Sequence, residues 1–524
     1  MNYSMTARIT AILCMAAIIA CPGFAQSSTQ MSSSAAARFL DQATWGPTPA
    51  SIAALQQAGI SNWLKSQFAL NTSNIPDQPI LVSGANNYNI HPVLASFFQN
   101  TLSGQDQLRQ RVAFALSQIW VVSTGVVPFA YAYPPYWRIF RDKAFGNYRN
   151  LINAMTLNPA MGRYLNMANN NKGNPAKNTS ANENYARELM QLFTLGLTQL
   201  NPDGTPVLDQ NNNPIPTYNQ TVVTNVAKVL TGWTYPTAPG ATAKTNNPPY
   251  YFGQMFAVES EHDTSAKAIF GGITIPAGQT AEQDLSSLLD ALMAQPTMAP
   301  FISRQLIQHL VTSNPSPQYV ARVSSVFKND GTGVTGNLQA VINAILTDSE
   351  ARAGDDATTV TNAAFGHMRE PVLLMANLLR GLNAKLAPTS GIYNYSAGLG
   401  ENLFNAPSVF SYFSPQYRIE GGLYAPEFQI NSTQTAANRA NLMNMILFGT
   451  LDHVTTVNLT PFVQQAGNVT SLLNYVNSIF LHGAMSPALE QSATDAVDAA
   501  STTTAKAQAA LYVVLTSGEY QIIH

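Results

Sequence analysis

Residues 182–196, Asn-Glu-Asn-Tyr-Ala-Arg-Glu-Leu-Met-Gln-Leu-Phe-Thr-Leu-Gly, constrain the fold more than any other stretch. Ala186, Leu189, Met190 and Phe193 recur at helical spacing, with Leu192 beside them. Glu183 and Arg187 lie four apart and can pair on one face, while Glu188 projects from a neighbouring face. Gly196 is placed to end the helix in a left-handed conformation. A helix this apolar that keeps two acids and an arginine has to bury part of that charge, and burying it needs a large surrounding core. The charge stands out because only 10% of the chain is Asp, Glu, Lys or Arg, against roughly 25% in ordinary soluble proteins.

The rest of the chain supplies that core in helical pieces. Apolar periodicity predicts helices over 34–44, 49–58, 106–122, 134–145, 147–157, 159–167, 222–230, 282–294, 298–311, 317–327 and 338–346. A second helix starts at Ser61. A long helical zone over 358–382 is interrupted at Pro371, and four more helices fill 431–516. In 106–122, Arg109 and Arg111 lie away from the apolar stripe. After Gly196 the pattern changes: Asn201-Pro202-Asp203-Gly204 is a turn, and 205–208 reads as one arm of an inserted β-hairpin. About forty residues without helical pattern follow Leu382, long enough to be a candidate for function. The expected class is mainly α: a large multi-helix domain with a small β-hairpin insertion and long loops. No linker divides residues 35–524, which read as a single large helical domain.

The N-terminus has a different character. Arg8 is the only charge before an apolar run from Ile9 to Ala20, and small residues precede Gln26. Residues 1–25 therefore read as a signal peptide and 26–34 as a flexible linker, which places the protein in the periplasm or outside the cell. The alternative is a lipoprotein anchored at Cys21, against which Pro22 counts. Both cysteines, Cys14 and Cys21, lie in this segment, so the mature chain would have no disulfide and no thiolate. No later segment has the ~20 apolar residues that cross a membrane. A net charge of −2 with no Lys/Arg-rich run argues against nucleic acid as a partner.

Few chemical motifs are present. There is no His-Glu-x-x-His, no Gly-x-Ser-x-Gly and no phosphate-binding loop. The glycines of 331–336 fit a dinucleotide fingerprint by letters but follow a helix, and read as a turn. Asp209, Asn211 and Asn213 begin like a calcium loop, but Pro214 and Gln220 occupy its required Gly and Glu positions, leaving a structural turn. The densest charge lies in Glu259, Glu261, His262, Asp263 and Lys267. There His262 is a candidate base or ligand, Asp263 its orienter and Lys267 an anion stabiliser. The competing reading is an ion network that locks the loop to the core. The same two readings apply to Glu183, Arg187 and Glu188. Arg369-Glu370 reads as a local salt bridge, and His91 and His309 as structural. Residues 405–417 are rich in aromatics and proline and could line a carbohydrate or polymer groove, or simply be pinned to the core.

These stretches together resemble the bacterial family called domain of unknown function 1800. Arg38-Phe39-Leu40 with Trp45-Gly46-Pro47-Thr48 is similar to its N-terminal signature, and 182–196 to its central motif. Leu230-Thr231-Gly232-Trp233, His262-Asp263 with Lys267 and Gly271, 301–306, 330–336, Arg369-Glu370-Pro371 and Pro407-Ser408-Val409-Phe410 match later blocks, in order. Asn337 stands where an acid is usual, and Ser411-Tyr412 where a Gly-Trp-like pair is commoner. The resemblance implies a large, exported, mostly helical protein. It implies no established activity, so no catalytic residue carries over. It also implies, by analogy only, a co-exported partner of sulfatase- or phosphatase-like fold.

The expectation is hydrolytic or lytic action on an envelope or extracellular polymer. Its site would lie between the Glu183/Glu188 helix and the His262/Asp263 loop, with Arg187 or Lys267 stabilising an anion. The alternative is a non-catalytic accessory or binding protein in which those residues hold the fold. No cofactor follows from these residues, and metal dependence stays open.

Overall fold

Nearly every side chain of the helix Gln107–Ile119 is buried, its polar ones included, and the other elements are arranged around it. A computed structural model describes residues 31–80, 87–355, 364–449, 451–452 and 454–524. The segment read as a signal peptide, both cysteines and most of the expected linker lie outside the described residues. The fold is mainly helical, 53% helix against 6% strand. One contiguous cluster of buried apolar side chains extends from Ala36 to Ile523. None of the described helices is long and apolar enough to cross a membrane.

Arg109 and Arg111 do lie off the apolar stripe of this helix, yet both are buried, because neighbouring helices cover every face. Arg109 donates to the carbonyls of Leu70, Phe68 and Arg141 at 2.5, 3.1 and 3.0 Å. Two of these carbonyls close the helix Pro49–Ala69, whose free end favours a cation.

That helix starts as its sequence predicts. Thr48 caps it with Ser51 in a reciprocal capping box, Pro49 takes the first turn, and Gly59 breaks it in two. In the preceding Trp45-Gly46 turn, Gly46 has φ +123°, and a Cβ there would come within 2.5 Å of the Asn377 side chain. Only glycine fits that approach.

Three elements differ from the sequence reading. A helix over His91–Ser103, with Pro92 in its first turn, buries Val93, Leu94, Phe97 and Phe98; its short apolar run was too brief to stand out. Among its described residues, the zone 358–382 is helical only over Pro371–Gly381. Glu370 is extended (ψ 155°), as a residue before proline tends to be, and His367–Met368 instead pairs antiparallel with Ile522–Ile523. Residues 356–363 lie outside the described residues. The β insertion is a three-armed meander over 197–217. Its arms bond through Val207 N–Gln199 O and Ile215 N–Val207 O at 2.8 and 2.9 Å. Pro206, Pro214 and Pro216 lack an N–H, so the ladder is reduced to isolated bridges. The Asp209 carboxylate closes one bend by accepting from the backbone of Asn211 and Asn213.

The two ends of the chain meet. Asp41, on the helix Ser33–Ala43, takes a bidentate pair from Arg369 at 2.7 and 2.5 Å. It also accepts from His482 Nε2 and Asn377 Nδ2, each at 2.9 Å. Arg369 therefore does not form the local salt bridge with Glu370 read from the sequence. Proline at 371 turns the two side chains onto different elements.

Candidate functional site

The central motif forms the helix Asn184–Gln191, with Glu183 just before it. The helix stops at Gln191, with Leu192 as its cap, rather than at Gly196 as its sequence predicts; Gly196, five residues on, is left-handed with φ +75°. A Cβ there would lie 2.8 Å from the Phe301 ring. Phe193 stacks on Trp120 at 4.2 Å and anchors the motif in the core.

Glu183 is clasped rather than free. It accepts from Arg187 at 3.0 Å, from Gln220 at 2.8 and 3.0 Å and from Thr224 at 2.8 Å. Partial burial alone would raise its pKa, but these hydrogen bonds and the Arg187 charge lower it. The pair ties the motif to the helix Gln220–Val229. Both side chains are a third or so exposed, where such a pair contributes about 0–1 kcal/mol. Glu188 faces the other way. Its Oε2 is buried without a hydrogen-bond partner. Burial raises its pKa, offset in part by Arg187, and Tyr164 and Tyr218 beside it are pushed up to about 12, mainly by their own burial.

The second predicted half is sealed. His262 and Lys267 are fully buried and converge on Asp284 of the helix Ala281–Met293. The Asp284 Oδ2 receives His262 Nε2 at 3.0 Å and Lys267 Nζ at 2.6 Å. His262 Nδ1 lies 2.9 Å from the Thr231 carbonyl, so the Leu-Thr-Gly-Trp block positions the ring. Asp263 does not orient His262. It accepts from the backbone and hydroxyl of Ser265 at 2.9 and 2.5 Å. Among the described residues, no hydrogen bond or ion pair joins Glu183, Arg187 or Glu188 to His262, Asp263 or Lys267. Both groups reach the Gln220–Val229 helix, where Thr224 holds Glu183 and Asn225 donates to the Ala268 carbonyl at 2.7 Å.

The most chemically loaded region lies elsewhere. A cavity of about 360 Å³ opens beside Gly196, within the ~300–1,000 Å³ range of small-ligand sites. Gln118, His309, Arg304 and Glu427 line it, with Phe301, Phe410, Phe413 and Tyr424 as its aromatic wall. Residues 405–417 thus form part of a cavity. Glu427 accepts from His367 Nδ1 at 3.2 Å and from Ser313 at 3.5 Å. Burial, then the Arg111 cation and His367, lower the pKa of His309 to about 3, so its ring is neutral at pH 7.

Behind Gln118 lie two more acids. Its amide nitrogen donates to Glu401 at 2.9 Å and to Glu370 at 3.2 Å, and Ser411 donates to its oxygen. The two carboxyls also hydrogen-bond each other. Glu401 accepts the backbone N–H of Val372 at 2.8 Å, at the N-terminus of the Pro371–Gly381 helix. Burial and mutual repulsion raise Glu370 well above the usual carboxylate range, and burial raises Glu401 to about 7. The buried Arg111 guanidinium keeps its charge and favours one ionised carboxyl, and the pair therefore shares a proton. Because the folded state holds a proton that free carboxyls give up near 4.5, folding stability should decline as pH rises from about 4.5 to 7. Glu401→Gln is expected to flatten that slope in melting temperature against pH; an unchanged slope would remove the shared proton.

Sequence reasoning missed Gln118, Glu370, Glu401 and Glu427 as a group and read His309 as structural. The available signal was an acid beside Pro or Gly at each point: Glu370-Pro371, Gly400-Glu401 and Pro426-Glu427. Among the described residues, no group of three or more His, Cys, Asp or Glu has an arrangement that could hold a metal ion.

A family model described as "Protein of unknown function (DUF1800)" matches residues 38–522. No curated protein and no solved structure matches the chain.

Proposed function

Since the chain belongs to the DUF1800 family, whose description names no reaction, we propose a function from the cavity: an exported protein that cleaves an envelope or extracellular polymer there, with Glu427 as its acid–base group. The observation that carries this reading is a ligand-sized cavity with an ionisable carboxyl in its wall and an aromatic edge open to solvent. Arg8 ahead of the apolar run from Ile9 to Ala20 and the small residues before Gln26 support export.

Of the six sequence candidates, we assign Glu183, Arg187, His262, Asp263 and Lys267 to holding the fold. What supports this is full burial of His262 and Lys267 on Asp284, and the filled bonding positions of Glu183. Glu188 keeps an unused buried oxygen and remains a candidate proton carrier beside the cavity residue Gln191.

Between hydrolysis and lysis, the cavity favours lysis. Hydrolysis of a sugar linkage by two carboxyls needs both at the substrate, ~5–9.5 Å apart. Among the described residues Glu427 is the only carboxylate that lines the cavity, and Glu370 and Glu401 sit behind Gln118. Elimination needs one base. Glu427 takes a proton from a carbon next to a carbonyl-type group, and the C–H electron pair becomes a C=C bond. The C–O bond on the adjacent carbon breaks, and the departing oxygen takes a proton from water.

Glu427→Gln is expected to lower turnover on a panel of extracellular polymers by about 100-fold, the lower end for a lost acid–base group, with the melting temperature little changed. Turnover that survives the substitution would exclude Glu427. A second reading, an accessory protein that only holds the polymer for a co-exported partner, is favoured by the tight hold of His367 on Glu427. It predicts binding in the same cavity with no turnover by the unaltered protein.

A further inference from the structure

Arg304 stands in the wall of the same cavity with no hydrogen bond or ion pair among the described residues, although it is half-buried. It is nonetheless held in place. Its guanidinium lies 4.6 Å from the Tyr424 ring centroid, a cation–π distance. Tyr424 is fixed in turn by Asn314, which accepts from its N–H at 2.8 Å and donates to its carbonyl at 2.7 Å. Glu427, the one carboxylate that lines the cavity among the described residues, is already engaged by His367 and Ser313. A positioned guanidinium fork without an anion suits a planar carboxylate, which it can grip through two parallel N–H bonds.

The neutral part of the wall narrows the ligand further. The side chain of Gln191 makes no hydrogen bond among the described residues, and Gln305 Nε2 has no partner. Amides offer donors and acceptors together, which hydroxyl groups can use in either sense. Phe410 lines the same cavity and is 43% exposed. A pyranose ring presents hydroxyls at its edge and C–H groups on its face, so it can use both.

We infer that the cavity takes a carboxylate-bearing sugar residue of a polysaccharide, with Arg304 on the carboxylate, Gln191 and Gln305 near the hydroxyls and Phe410 against the ring. This inference rests on the reading of the cavity as the functional site. It also supplies what elimination lacked. A carboxylate neutralised by Arg304 makes the adjacent C–H more acidic, and that proton is the one Glu427 would remove.

The test is calorimetric titration of the purified protein with oligogalacturonate, oligoglucuronate and oligomannuronate, with their methyl esters, and with a polyglutamate peptide. At least one uronate oligomer is expected to bind, and its ester, which keeps the ring and loses the charge, should bind about tenfold more weakly or worse. Arg304→Gln should weaken the free acid by a similar factor and leave the ester unchanged. Arg304→Lys should recover part of the loss, with melting temperatures unaltered throughout. The inference is overturned by any of four results: no uronate oligomer binds, acid and ester bind equally, polyglutamate binds as tightly as the sugars, or Arg304→Gln leaves the free-acid affinity intact. Arg304-dependent binding by a protein that forms no C=C product would uphold this ligand class while removing the cleavage reading, so the two fail separately.

Discussion

Replacing Asp41 by alanine should cost about 3–5 kcal/mol of stability, as expected when one partner of a buried ion pair is removed. Asp41 and Arg369 are each about 98% buried at the side chain. Asp41 receives four donors from three residues in two distant parts of the chain: two from Arg369, one from Asn377 and one from His482. Its removal leaves the Arg369 guanidinium without its counter-charge under the Tyr520 ring, 5.0 Å away, with only the Tyr520 carbonyl still bonded at 2.8 Å. Urea unfolding measures the loss, and a change below about 1 kcal/mol would show that Arg369 finds water or another acid.

The same carboxyl sets a pH dependence of opposite sign to that of Glu401. Burial alone would raise its pKa, but Arg369 and His482 outweigh burial and hold it well below the usual range. The folded state thus binds fewer protons than the unfolded one. The stabilisation is complete above about pH 4 and is lost as pH falls further. Asp41→Asn should remove most of that acid-side loss. With the Glu370–Glu401 pair acting above pH 4.5, the unaltered protein should be most stable on the mildly acidic side of neutrality.

Asp284→Ala should cost a similar 3–5 kcal/mol, and it separates structure from chemistry at the His262 loop. Lys267 and His262 both bond the same oxygen, Asp284 Oδ2, at 2.6 and 3.0 Å, with all three side chains fully buried. Alanine leaves the buried Lys267 ammonium group without the carboxylate it bonds, with only the charge of Asp263 still acting on it. The pairing also holds three segments together: the Thr231 block, the strand Lys267–Ala268 and the helix Ala281–Met293. A double substitution of Lys267 to Met and Asp284 to Leu should recover much of the loss, because removing both charges avoids the unpaired one. Full recovery of stability with loss of turnover would return the loop to chemistry. Recovery of both would leave it structural.

Much of the helical framework was legible because its signals are local. Thr48 and Pro49 start a helix, Gly196 takes a left-handed conformation, and the 3.6 spacing of Ala186, Leu189, Met190 and Phe193 turns one face to the core. All of these depend on neighbours within a turn or two. The central motif also identified the family, because a long run of ordered residues is specific even where its chemistry is not. What periodicity left open or misplaced also has a physical cause. Arg109 and Arg111 lie off the apolar stripe, which on a surface helix means solvent, but on a helix covered on every face means burial. The zone 358–382 kept its apolar content across Pro371, and periodicity does not register that Pro371 holds Glu370 extended.

The sequence by itself determined that this is a charge-poor, mainly helical chain of the DUF1800 family, and that a few retained charges matter. The tertiary structure decided which of those charges meet. Glu183 and His262 occupy the most charge-dense stretches, yet each is satisfied by a neighbour that spacing does not reveal: Gln220 and Thr224 for one, Asp284 for the other. Glu370, Glu401 and Glu427 are scattered over nearly sixty positions in prolines, glycines and loops. They gather only because Gln118 and Arg111 project from a helix more than 250 residues earlier. Helix periodicity is written in adjacent residues, whereas a cavity is made by which faces of distant helices come together, and no short-range pattern encodes that.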